Sequence, residues 1–225
     1  MESNGAGHNG SGSVHGASER VIEPPPDRVR DLAEACVRFV QRAVGVTLDY
    51  EPETLPVLDH YVEQARQAAG GRPEAAAVVA HAAGAYFGEV VRRRYPSWWR
   101  TEHDDPAAWR IELEPVFLSF RPIQLIADAL YRVEETKGEG GEGEGEGEGE
   151  SAAEEDAGEQ LEIDDVDREA VTGRLAELPQ VSEKEFFAPS TRLEVIDIAI
   201  EAIRARRMGE GNEGDAKLGP SDYDD

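Results

Sequence analysis

Tyr86 and Glu89 stand three residues apart in the run Gly84-Ala85-Tyr86-Phe87-Gly88-Glu89. On a helix that spacing puts both on one face, and a buried carboxylate beside a phenol could serve as a general base. Acid–base work also needs a partner group, and none is visible at a matching spacing. The competing reading is that Glu89 anchors a sheet, or an arginine such as Arg100 or Arg110. His60, His81 and His103 with Glu89 could be imagined as a metal set, but ligands must converge from close spacing or adjacent elements. His81 and Glu89 are eight apart, roughly 80° around a helix, and the other two histidines fall on different elements. Cys36 sits among apolar residues at helical spacing, where a thiol is an inert small hydrophobe. No Ser-His-Asp or Cys-His arrangement can be built. No catalytic residue, metal ligand or cofactor is therefore assigned.

Binding offers more. Arg92-Arg93-Arg94-Tyr95 followed by Trp98-Trp99-Arg100 interleaves cations with aromatics, as single-strand binders do. The net charge of −25 opposes the phosphate neutralisation on which nucleic-acid binding depends. An acidic protein segment suits these arginines better. The second surface is a stripe of Leu193, Ile196, Ile200 and Ile203, widened by Val195, Ile198 and Ala199. A helix of about sixteen residues bearing it would scarcely hold its order alone in water. Something must cover the stripe. The long charged connection before it favours a groove on another protein over the chain's own core.

Periodicity supplies the elements that must position these groups. Val29, Leu32, Ala33, Cys36, Val37, Val40 and Val44 mark a helix over 27–44 that Gly45 can end in a left-handed cap. A second is expected over 55–69 and a third from Pro73 to Arg94. In the third, Ala76, Ala80, Gly84 and Gly88 recur every four residues, a stripe that lets another backbone approach closely. Past Pro96 the period becomes two: strands are expected over 98–102, over 109–113 and over 116–120. Pro122 opens a closing helix to about Glu135. Beyond it, 167–178 reads as a short helix and 192–207 as a stronger one, with Thr191 and Glu194 as a capping box. The fold class is α+β: three helices, a short three-stranded antiparallel meander and a closing helix, then an acidic tether and a C-terminal amphipathic helix.

The helix Gly84 to Arg93, the pair Trp98-Trp99 and the stretch from Phe117 to Leu130 resemble a loosely defined group of small bacterial α+β proteins, largely uncharacterised. In those a Gly-x-Tyr-aliphatic-Gly-Glu helix precedes a short antiparallel sheet and a closing helix. The resemblance implies that order of elements and no reaction. Arginine far outnumbers lysine, and Ala and Gly abound, a bias of GC-rich bacterial coding.

Composition sets the expected boundaries. Residues 1–25 and 209–225 read as disordered tails, the latter acidic. Residues 137–160, with their alternating Gly and Glu, read as a flexible tether. The folded domain is placed at 26–136, and 161–208 forms a short helical C-terminal segment. The most apolar run, 75–91, is interrupted by His81 and Glu89 and reads as a buried helix, not a membrane span. With no secretory signal in evidence, a cytoplasmic protein is expected. The function expected is a non-catalytic protein-interaction or regulatory module. Its partner is another protein, met through Leu193, Ile196, Ile200 and Ile203 or through Arg92, Arg93, Arg94, Trp98 and Trp99. Nucleic acid and membrane insertion are excluded, and the oligomeric state is left open. The alternative is a small enzyme, or an enzyme's accessory domain, using Glu89 in a cleft between the third helix and the sheet.

Overall fold

A computed structural model describes residues 23–69, 72–131, 160–179, 181–212 and 216–224. Residues 1–22 of the expected tail, 137–159 of the tether and the end of the closing helix at 132–135 lie outside the described residues. Helix α1 spans Asp27–Val44 and buries Val29, Ala33, Cys36 and Val40, one face of a 3.6-residue period. Gly45 ends it at φ 81°, a left-handed geometry that costs glycine little, and its N–H closes on the Gln41 carbonyl. Helix α2 (Leu55–Ala69) buries Leu55, Leu58 and Val62.

Helix α3 (Pro73–Arg94) is enclosed all round over its second half, with every residue from Ala82 to Arg92 buried. Its glycines explain how neighbours come so close. A Cβ on Gly84 would lie 2.4 Å from the Cα of Ile123 in helix α4 (Pro122–Tyr131). One on Gly88 would strike the Trp99 ring at 2.3 Å. No side chain fits at either position.

Strands β1 (Ser97–Arg100), β2 (Arg110–Leu113) and β3 (Leu118–Phe120) form the expected antiparallel meander. The sheet has a fourth strand. Strand β4 (Leu161–Ile163) pairs antiparallel with β3, Leu118 opposite Ile163 and Phe120 opposite Leu161. The fold is mixed helix and sheet, with one four-stranded antiparallel sheet in the order β1-β2-β3-β4. Alternation puts Trp99, Ile111, Leu113, Leu118, Phe120, Leu161 and Ile163 on the inner face, all buried, with Phe120 edge-on to Phe87 of α3.

Helices α5 (Asp165–Leu175), α6 (Glu183–Phe186) and α7 (Pro189–Gly209) follow. Here the structure corrects the expectation of a stripe presented to a partner. Leu193, Ile196, Ile200 and Ile203 are buried, in one apolar cluster with Val29, Leu58 and Val90. The connection into this region delivers a strand to the sheet's edge before α7 packs, so its length does not require a distant target. The capping box at Thr191 is corrected too. The helix starts three residues earlier than expected, at Pro189, and Asp59 of α2 supplies its cap. The Asp59 carboxylate accepts from the Ser190 N–H (3.0 Å) and from the Ser190 hydroxyl (2.5 Å).

Burying two carboxylates under α7 tests this packing. Ile196→Asp with Ile200→Asp should destabilise the purified protein by about 4 kcal/mol or more. Urea unfolding followed by circular dichroism checks it; an unchanged midpoint would show that α7 leaves the core in solution.

Candidate functional site

The groups singled out for chemistry are held by internal partners. Glu89 is 2 % exposed. Its carboxylate accepts from Arg92 Nε at 2.7 Å and Nη2 at 2.8 Å, and from Trp99 Nε1 at 2.8 Å. It therefore joins α3 to β1 through Trp99, with Arg92 in the role expected of Arg100 or Arg110. The third Arg92 nitrogen, Nη1, donates to the Glu23 carbonyl at 2.7 Å. Trp99 fills the sheet side of Glu89, so the cleft that Glu89 lines is not between α3 and the sheet. It lies between α1 and α3, about 450 Å³ in volume, walled by Ala33, Val37, Leu48, Tyr50 and Arg93. Arg93 sits 3.8 Å over the Tyr50 ring, and Tyr50 stacks on Tyr86. The backbone of Tyr50 is left-handed at φ 67°, an uncommon state for a side chain of this size. The Tyr86 hydroxyl accepts from the Tyr50 N–H at 2.8 Å, so the phenol is turned away from chemistry with Glu89.

The remaining expected residues are also engaged. Arg94 forks onto Asp197 of α7, whose carboxylate also accepts from the Tyr95 hydroxyl at 2.7 Å. Arg94 therefore ties α3 to α7, while Arg93 and Arg94 both remain exposed. His60 Nε2 bonds Gln64 on α2, and the His103 carbonyl accepts from Trp109 Nε1. Among the described residues no three His, Cys, Asp or Glu side chains gather in a set able to hold a metal ion. Cys36 is buried, which pushes its thiol up to about 12. None of the helices among the described residues is long and apolar enough to cross a membrane. A further cleft of about 370 Å³ opens where α2 meets the start of α7, lined by Asp59, Glu63, Lys184 and Ser190 among others. Burial pushes the Asp59 carboxyl up against the pull of its two Ser190 bonds, in keeping with a cap partly withdrawn from water.

The outer face of the sheet is the exception, because what covers it is a strip of chain and not a helix. Cross-strand register lines up Trp98, Glu112, Ser119 and Glu162 across β1 to β4. Glu112 is fully buried, 0 % exposed. It is satisfied by Trp98 Nε1 at 2.6 Å, Arg110 Nε at 2.7 Å and Arg100 Nε at 3.2 Å. Ser119 donates to Glu162 at 2.8 Å. Polar groups this deep are tolerated because each is paired.

Residues 216–224 lie against the Trp98 end of this row. The N–H groups of Ala216 and Leu218 donate to the carbonyls of Pro115 and Glu114. Tyr223 is 6 % exposed and enters a socket, its ring stacked 4.4 Å from Phe117 and edge-on to Trp98 at 5.9 Å. Its hydroxyl accepts from the Leu118 N–H at 2.9 Å and lies 2.8, 3.0 and 3.2 Å from the carbonyls of Leu113, Val116 and Leu118. One proton serves three acceptors, so the socket is built for a group that both donates and accepts. Arg110 reaches the Tyr223 carbonyl, and Arg100 pairs with Asp224. This segment lies in the stretch 209–225 expected to be a disordered tail; its one aromatic residue, Tyr223, is set in acidic sequence and carries no periodic pattern that would mark it.

No family model matches the chain, and neither a curated protein nor a solved structure matches it. The site is read from its own chemistry.

Two measurements test these assignments. Glu89→Ala leaves the Arg92 charge buried without its carboxylate and should cost about 3–5 kcal/mol in urea unfolding; an unchanged stability would remove the anchor role. The second is base sensitivity. Burial pushes the phenols of Tyr86 and Tyr223 up to about 12, against about 10 in an unfolded chain. Between those values the unfolded chain has lost protons that the folded chain keeps, so stability intact below pH of about 10 is lost as pH rises toward about 12. Tyr223→Phe should cost about 1–3 kcal/mol at neutral pH and make that alkaline fall shallower. An equally steep fall would place Tyr223 outside its socket.

Proposed function

We propose that this chain is a non-catalytic interaction module whose binding surface is the outer face of the four-stranded sheet. One observation carries the reading: beside that face residues 216–224, ending in the 3-10 turn Pro220–Tyr223, are held by two backbone bonds to the turn between β2 and β3, one aromatic anchor and one ion pair. These are the contact types by which folded domains recognise peptides. A single buried anchor surrounded by lightly covered contacts is also how binding energy distributes over protein interfaces.

A second reading, a small-molecule or catalytic role for the α1–α3 cleft, is favoured by the left-handed backbone of Tyr50 at its wall. Against it, both carboxylate oxygens of Glu89 are occupied by Arg92 and Trp99, and Glu34, the other carboxylate at the cleft wall, pairs with Arg38 at 3.7 Å.

A photo-crosslinking residue placed at the exposed positions Glu162 and Glu102, beside the outer face, and at Arg42 on the far side of α1 as control, tests the surface in cells of the native host. A discrete protein adduct from the sheet positions and none from Arg42 is expected. Adducts from Arg42 alone, or none at all, would overturn the reading.

A further inference from the structure

The covering segment differs from every other element in how it is held. Of its residues 216–224, Tyr223 alone is buried; Lys217, Pro220, Ser221, Asp222 and Asp224 are exposed. Tyr223 is absent from the continuous apolar cluster that joins α1 to α5, α7 and the sheet. It instead caps a polar surface from outside. The segment follows α7 after Gly211, whose left-handed φ of 83° turns the chain there. Tyr223 is the one buried side chain that fastens it, beside two backbone bonds and the pairing of Asp224 with Arg100.

The socket is selective in a way that core packing alone does not require. Three carbonyl oxygens and one N–H surround the hydroxyl. Phenylalanine would leave that N–H unmet, and a phosphorylated tyrosine would force close to two negative charges against carbonyl oxygens. The neighbouring cation, Arg100, faces the residue after the tyrosine. Together these read as a recognition code: an unmodified tyrosine followed by a carboxylate.

We propose that residues 216–224 are a stand-in held in cis for a partner's segment. The outer face receives an acidic peptide from another protein that carries an unmodified tyrosine followed by Asp or Glu, and the chain's own segment keeps the face covered until it is displaced. This rests on the interaction-module reading and names its partner chemistry. A tethered segment acts at an effective concentration of about millimolar, so a free peptide competes poorly until the cis anchor is weakened.

The test uses the full-length chain carrying Tyr223→Ala and Asp224→Ala, with a fluorescently labelled peptide of residues 216–224 followed by anisotropy. Saturable binding is expected, about tenfold or more tighter than to the wild-type chain. The peptide with phenylalanine, and the peptide with phosphotyrosine, should each bind about tenfold or more weaker. A cooperatively melting variant that fails to bind, or binds all three peptides alike, would overturn the proposal. If the variant does not melt cooperatively, the wild-type chain decides: no saturable binding up to millimolar peptide overturns it. A wild-type chain that exchanges the segment only with a second copy of itself, forming dimers, also overturns it. Failure here with crosslinked adducts still forming at Glu162 leaves the module reading standing, whereas loss of those adducts removes that reading itself.

Discussion

Everything in this fold leans on how closely other elements approach α3. At Gly84 the backbone of α4 passes where a side chain would be, and at Gly88 the Trp99 ring of β1 does the same. Each glycine costs the helix roughly 1 kcal/mol against alanine. The return is contact at van der Waals distance between α3, α4 and the sheet, and fully buried Ile111, Ile123 and Phe87 along the seam. Trp99 is then positioned to donate to Glu89, which in turn fixes Arg92. A polar anchor at that depth is satisfied because the glycine beside it lets the indole in.

This seam was legible in the sequence. Small residues every four positions announced a close approach, and capping and period fixed α1, α2 and α3 to the residue. The meander was legible too, from the switch to period two after Pro96. What composition concealed was β4. Leu161 and Ile163 flanking Glu162 alternate over only three residues in an acidic stretch, too short a pattern to stand out. Strand β4 has meaning only once β3 offers an edge for it. The burial of α7 was hidden for a related reason. An amphipathic stripe states that a face must be covered, and the covering residues are distant in sequence: Asp59 at its start and Arg94 on Asp197.

Candidate-site residues divided along the same line. Arg92, Arg93, Arg94, Trp98 and Trp99 looked like a binding patch because their types suit one. Their partners, Glu89, Tyr50, Asp197 and Glu112, lie 3 to 103 positions away, and in several cases the pairing is fixed by tertiary packing. A basic run in a chain of net charge −25 finds acidic partners within its own fold. Charge pattern alone does not separate a surface offered outward from one already spent.

Tyr223 sharpens that distinction, because the surface it covers is polar. Had the outer face been apolar, the covering segment would be a further layer of core, held by area. With Glu112 sunk between two arginines and an indole, the polar row is paired within the sheet, while the cover answers the Leu118 N–H and the carbonyls of the turn between β2 and β3. A cover gains little from the polar row and must draw its stability from the socket between Phe117 and Trp98, from the hydroxyl, and from Arg100. Attachment through one aromatic side chain and an exposed ion pair of about 0–1 kcal/mol is modest. It is strong enough to hold a tethered segment, since the tether has already met most of the entropy cost of association. It is too weak to make that segment inseparable from the fold. A satisfied polar face with a single donor–acceptor socket therefore yields reversible, chemically selective occupancy, which an apolar face of the same size would not.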